Sequence, residues 1–112
     1  MEKQLLELAQ KTVEKLRLRK MTLSSAESCT GGMIASGLVN VPGVSSAFDE
    51  GYITYANNAK MKLLQVKEET LNAFGAVSEE TAREMAEGTA LVSGADCSVV
   101  TTGIAGPGGG TP

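Results

Sequence analysis

Met21-Thr22-Leu23-Ser24-Ser25-Ala26-Glu27-Ser28-Cys29-Thr30-Gly31-Gly32-Met33 is the stretch from which the fold is read. Residues 21–26 read as a short strand of apolar and small side chains. Two glycines come next, and glycine lets the backbone bend through φ > 0 and approach a neighbour closely. Residues 33–39 then read as a short apolar helix, which Asn40-Val41-Pro42-Gly43 stops. A strand that turns sharply into a helix is half of a βαβ unit. The segments on either side continue the same alternation.

Upstream, Leu5, Leu6, Ala9, Val13 and Leu16 recur at three- and four-residue steps between charges, which predicts a helix over 2–19. Downstream, Phe48, Tyr52, Ile53 and Tyr55 mark a second strand over 47–55. Asn57-Asn58 is expected to cap a helix over 59–64. Residues 68–74 predict another short helix, closed by Gly75. Ser78 is a good N-cap, and Glu79 and Glu80 suit the positive end of the helix dipole. That helix runs through Ala82, Met85, Ala86, Ala90 and Leu91 to Gly94. Residues 97–101 are apolar and β-branched, as a buried strand is. Helices alternating with strands predict an α/β fold, a three-layer α/β/α sandwich with a mostly parallel sheet. Three strands are few for such a sheet, and the chain stops in a glycine-rich stretch. It reads as a single domain over 1–112 whose natural continuation adds strands beyond the C-terminal end.

With 112 residues there is room for one modest core. Ten Lys+Arg against thirteen Asp+Glu give a net charge of −3, which argues against a nucleic-acid binder. No apolar run approaches the roughly 18 residues of a membrane span. Met1-Glu2-Lys3-Gln4 opens an amphipathic segment rather than a signal peptide. Cys29 and Cys97 are too few for a disulfide scaffold, so a cytoplasmic protein with reduced thiols is expected.

The chain contains no histidine. Ser-His-Asp and Cys-His catalysis within it are excluded, and the commonest zinc ligand is missing. No metal and no cofactor is expected. A hydrolytic base must come from Lys, Tyr, Asp or Glu.

Four motifs could carry chemistry. In Ala26-Glu27-Ser28-Cys29-Thr30-Gly31-Gly32, a Ser at a strand-to-helix turn can present its hydroxyl, and nearby amides can hold an oxyanion. The turn shares the logic of a nucleophile elbow but not its G-x-S-x-G pattern. The plainer reading is that Ser28 or Thr30 only caps the helix. Cys29 competes as nucleophile, but no local group lowers its pKa, so packing is favoured for it. In Gly51 to Lys62, Tyr55 lies near a strand end and Lys60 in the first turn of the next helix. A partly desolvated lysine there can act as a base for Ser28, against the plainer reading of a solvated surface lysine. Thr102 to Thr111 can cradle an anion with backbone amides or serve only as a linker; it matches neither the Walker A nor the G-x-G-x-x-G pattern. Val41-Pro42-Gly43-Val44-Ser45-Ser46 offers two hydroxyls at a turn, and turn chemistry alone accounts for it.

Taken together and in order, these motifs, with Gly75-Ala76-Val77-Ser78, closely resemble the CinA C-terminal domain family, which includes stand-alone nicotinamide-nucleotide amidases. The resemblance runs from about Leu5 onward. It implies an α/β/α fold and hydrolysis of the carboxamide of nicotinamide mononucleotide to nicotinate mononucleotide and ammonia, in bacterial pyridine-nucleotide recycling. It places the family's serine nucleophile on Ser28, its tyrosine on Tyr55 and its lysine on Lys60. Supporting polar positions fall on Ser45 and Thr102. The glycine-rich loop, with Ala105, Gly106 and Gly108, is expected against the nucleotide, and the amides of Thr30, Gly31 and Gly32 around the oxyanion. The partner is then a small-molecule nucleotide, with neither nucleic acid nor membrane. A homodimer or larger homo-oligomer is expected. The competing class is a nucleotide-binding or regulatory module without catalysis.

Overall fold

A computed structural model describes residues 2–104. Helix α1 (Lys3–Leu18) leads into strand β1 (Leu23–Glu27), then helix α2 (Met33–Val39), a 3₁₀ turn (Val44–Ser46) and strand β2 (Phe48–Ile53). Helices α3 (Asn57–Leu64), α4 (Glu68–Phe74) and α5 (Glu79–Ser93) come next, and strand β3 (Cys97–Thr101) closes the described part. The sheet has three strands in the order β2-β1-β3, and both pairings are parallel. β1 is thus central, and all five of its residues are buried.

Side chains alternate along a strand, so β1 divides its residues between two cores. Leu23 joins Ala9 and Val13 of α1 and Leu38 of α2, with Val41 and Ala47, on one face. Ala26 joins Leu64, Val66, Leu71 and Met85, from α3 to α5, on the other. Cys97 and Val99 pack with the first cluster and Val100 with the second. Helices therefore cover both faces of a parallel sheet, which is the α/β/α arrangement the alternation predicts.

The β1–β2 register shifts between Leu23 and Ser25: Leu23 faces Phe48, whereas Ser25 faces Gly51. The extra residue in β2 leaves the Glu50 amide off the ladder, and Ser24 Oγ accepts it at 3.2 Å. A hydroxyl in a fully buried strand is thereby satisfied. The shift also brings Tyr52 and Ile53 level with Ala26 and Glu27, so the residues leaving β2 stand beside those leaving β1.

The expected elements are found, with four differences. β1 spans Leu23–Glu27 rather than 21–26, so Glu27 belongs to the strand. β2 is shorter than 47–55: it ends at Ile53, and after one last bond from the Thr54 amide to the Glu27 carbonyl the chain turns into α3. Asn57 and Asn58 do not cap α3; Ala56 is its N-cap and makes no side-chain bond. Val44–Ser46 winds into a single 3₁₀ turn rather than an open turn. Ser78 does cap α5, accepting from the Thr81 amide. Gly31 and Gly32 sit at φ +62° and +112°, as the sharp bend requires.

Gly88 has a different reason to be glycine. It lies in the middle of α5, where a Cβ would meet the Leu64 carbonyl oxygen that ends α3. Alanine has the better helix propensity by about 1 kcal/mol. Here it would force two helices apart, and overpacking of this kind costs about 1–3 kcal/mol or more. Gly88→Ala is expected to lower the melting temperature by several degrees in a thermal unfolding experiment; a rise would show that α3 and α5 do not touch there.

Candidate active site

The carboxyl ends of β1 and β2 and the first turn of α3 meet at one edge of the sheet. Ser28 comes directly after β1, Thr54 and Tyr55 come after β2, and Lys60 closes the first turn of α3. The Thr54 amide donates to the Glu27 carbonyl at 2.9 Å, which ties the two strand exits together. Lys60 is 1% exposed and Ser28 6%. Lys60 Nζ lies 3.2 Å from Ser28 Oγ, 3.0 Å from the Thr54 carbonyl oxygen and 3.1 Å from the Tyr55 carbonyl oxygen.

Those partners decide what the amine can do. A carbonyl oxygen only accepts. As an ammonium, Lys60 donates one proton to each of the three oxygens. As a neutral amine it keeps two N–H bonds, which the carbonyls take, and its lone pair faces Ser28 Oγ, whose hydroxyl can then donate to it. Burial pushes Lys60 below its ordinary value of 10.5, and the nearby Cys29 acts the other way. No carboxylate pairs with Lys60 among the described residues. Desolvation without a counter-ion favours the neutral form, the one a base needs.

A second network holds the turn. Glu27, 1% exposed, accepts the Thr30 hydroxyl at 2.7 Å and the Ile34 and Ala35 amides at 2.8 and 3.1 Å. Burial alone would raise its pKa. The Ile34 amide, the Thr30 hydroxyl and the Ala35 and Gly32 amides outweigh burial, and the net direction is down. Thr30 Oγ1 lies 2.9 Å from Thr101 Oγ1, and the Ser28 amide donates to Thr101 through both its carbonyl, at 3.1 Å, and its hydroxyl, at 3.3 Å.

These bonds redraw the expected oxyanion cradle. The Gly31 amide donates to the Ser28 carbonyl at 3.2 Å, and the Gly32 amide supports Glu27. Among the described residues, the turn amides without an acceptor are those of Cys29 and Thr30. Cys29 is a free thiol, half-buried, with its sulfur against Gly103.

Of the other expected residues, Tyr55 is 68% exposed; its carbonyl rather than its phenol reaches Lys60. Thr102 comes after β3 at the same sheet edge as Ser28, and its hydroxyl donates to the Ala76 carbonyl at 2.6 Å. Ser45 is not brought to the site. It precedes Phe48, which pairs with Leu23 at the amino end of the sheet, whereas Ser28 lies beyond the carboxyl end. Ala105, Gly106 and Gly108 lie outside the described residues. An apolar groove of about 650 Å³, lined by Leu5, Ala9, Met33, Ile34 and Leu38 and reaching Thr30 of the turn, runs between α1 and α2; neither Ser28 nor Lys60 lines it. Among the described residues, no group of three or more His, Cys, Asp and Glu is placed to hold a metal, and no helix is long and apolar enough to cross a membrane.

Sequence reasoning assigns no task to Glu27 and passes over Thr54 and Thr101. For Glu27 a signal exists: an acidic residue closes a run of small strand residues, with a threonine three positions on. For Thr54 there is none, because its contribution is a backbone carbonyl.

The model of the CinA C-terminal domain matches residues 5–112. A putative competence-damage inducible protein of Clostridium perfringens is 66% identical over 93 residues, which span 83% of this chain and 23% of that protein. A CinA-like protein of Chloroherpeton thalassium is 58% identical over 98 residues, 88% of this chain and 23% of that protein. The chain thus spans about a quarter of these curated relatives. Among solved structures, the competence/damage inducible protein CihA of Agrobacterium tumefaciens superposes with a TM-score of 0.92 at 42% identity, over 99% of this chain and 67% of that one. An Escherichia coli CinA superfamily protein gives a TM-score of 0.93 at 36% identity, over 98% and 65%. By its sequence from residue 5 onward and by its fold, this chain belongs to the CinA C-terminal domain family.

Proposed function

We propose that the chain carries a serine–lysine amidohydrolase centre that converts nicotinamide mononucleotide to nicotinate mononucleotide and ammonia. The observation that carries the chemistry is the buried Lys60 amine, 3.2 Å from Ser28 Oγ, with two carbonyls to take its protons. The substrate comes from the family resemblance.

In this reading Ser28 Oγ attacks the carboxamide carbon while neutral Lys60 accepts the hydroxyl proton. The 3.2 Å separation lets that transfer be direct. The developing oxyanion takes the Cys29 and Thr30 amides; a donor on the residue after the nucleophile is the arrangement of nucleophile elbows. Lys60 then passes its proton to the nitrogen as the C–N bond breaks and ammonia leaves. A water molecule gives a proton to Lys60 and attacks the ester. Breaking the ester bond returns the proton to Ser28 and frees the carboxylic acid. Tyr55 holds Lys60 through its carbonyl, and its exposed phenol meets the substrate. Thr102 and the stretch with Ala105, Gly106 and Gly108 hold the nucleotide by backbone amides. Ser45 has no task in this site. Homo-oligomers belong to the same reading, since β2 and β3 each leave one side unpaired among the described residues.

The test is ammonia release from nicotinamide mononucleotide by the intact protein. Ser28→Ala and Lys60→Ala are each expected to lower kcat by about a thousandfold or more. Tyr55→Phe keeps the carbonyl and is expected to lose much less. Near-normal turnover by Ser28→Ala, or an acyl adduct on Cys29, would overturn the nucleophile. Nucleotide binding without turnover, unchanged in Ser28→Ala, would make the chain a binding module.

A pH profile gives an independent check. Only neutral Lys60 is a base, so kcat/KM should rise with pH as the group loses its proton. Because burial lowers its pKa, the midpoint should fall below the ordinary 10.5. A rate that falls through that range would contradict the assignment.

A further inference from the structure

We infer that Glu27 is a positioning residue for Ser28, acting through a one-directional hydrogen-bond chain that passes by way of Thr30 and Thr101. This role rests on the serine-nucleophile reading of the site and adds to it a residue that touches neither substrate nor base.

The direction of the chain comes from counting protons. The Glu27 carboxylate meets only donors, the Thr30 hydroxyl and the Ile34, Ala35 and Gly32 amides, and has no proton to give back. Thr30 has one hydroxyl proton, and Glu27 takes it at 2.7 Å. Thr30 Oγ1 can then only accept from Thr101, 2.9 Å away. Thr101 thereby spends its own proton, and its oxygen is left to accept the Ser28 amide at 3.3 Å. Every hydroxyl in the path is oriented, and the order begins at the carboxylate.

Two consequences reach the reacting atoms. The Ser28 amide, held by the Thr101 carbonyl at 3.1 Å, gains the Thr101 hydroxyl as a second acceptor, which fixes the direction of the residue whose Oγ stands 3.2 Å from Lys60 Nζ. The Ile34 and Ala35 amides are consumed by Glu27, so the start of α2 offers them to no ligand. The Cys29 and Thr30 amides stay open for the oxyanion. A neutral side chain at 27 breaks the proton order: the amide nitrogen of glutamine is a donor and must oppose at least one of the donors already there. Misplacement of a nucleophile from a distance can cost about a hundredfold in rate.

The experiment compares Glu27→Gln, Thr101→Val and Thr101→Ser in the intact protein. The readouts are kcat and KM for carboxamide hydrolysis and the rate at which a fluorophosphonate labels Ser28. Glu27→Gln and Thr101→Val are expected to lose about a hundredfold in kcat and in labelling rate, with KM within threefold. Thr101→Ser restores the hydroxyl and should recover most of both. Thr101→Val keeps the carboxylate cap on α2, so it carries the test if Glu27→Gln does not fold. Unchanged kcat and labelling in Thr101→Val, or failure of Thr101→Ser to recover them, would overturn the relay. A wild-type protein with no turnover and no Ser28 labelling would instead overturn the serine-nucleophile reading, and the relay with it.

Discussion

An amine buried among three oxygens, two of them carbonyls with no proton to lose and the third a hydroxyl, is the constraint on which the rest of this structure turns. Two of those oxygens, on Thr54 and Tyr55, are backbone atoms at the exit of β2, and the third belongs to the residue that leaves β1. The cage closes only if the two strands end level. A slip of one residue would move the carbonyls by about 3.3 Å, beyond hydrogen-bond reach of Nζ. The irregularity between Leu23 and Ser25 is what sets that level, and Ser24 Oγ makes it tolerable by accepting the stranded Glu50 amide. Ser24, in a fully buried central strand, is thus part of how the site is built.

Whether a feature is legible in the sequence depends on the kind of information it needs. The helices are legible, because apolar spacing along α1 and α5 is written in side chains, and glycine closes α4 and α5. The turn at Gly31-Gly32 is too, because positive φ favours glycine. Ser28 and Lys60 stand out by elimination, since a chain without histidine has few bases left, and by family resemblance. Their meeting depends on the parallel register, which no local pattern encodes. Tyr55 shows the limit well: a tyrosine at a strand end draws attention to its phenol, but what the structure uses toward Lys60 is a carbonyl any residue could supply. Asn57 and Asn58 mislead for a related reason. They are good caps by type, but the helix begins two residues earlier, and both Asn57 and Asn58 are already inside it. Ser45 resists sequence reading altogether, because only the direction of β2 tells which end of the sheet it occupies.

The two buried ionisable groups at this sheet edge show how the site manages without imidazole. Burial works against charge on both, raising a carboxyl and lowering an amine. Glu27 escapes because the protein surrounds it with donors, and the net effect holds it ionised. Lys60 meets two carbonyls and a hydroxyl, no carboxylate balances it among the described residues, and burial prevails. One environment therefore yields a fixed anion next to Ser28 in the chain and, 3.2 Å from its hydroxyl, an amine biased toward its neutral form. Environments that push neighbouring groups into different protonation states are how one fold separates structural from reactive roles. Here the anion orders the turn and the amine faces the hydroxyl. An exchange of roles is barred by the partners themselves, since a carboxylate among the carbonyls of Thr54 and Tyr55 would meet only acceptors, and an ammonium in place of Glu27 would meet only donors.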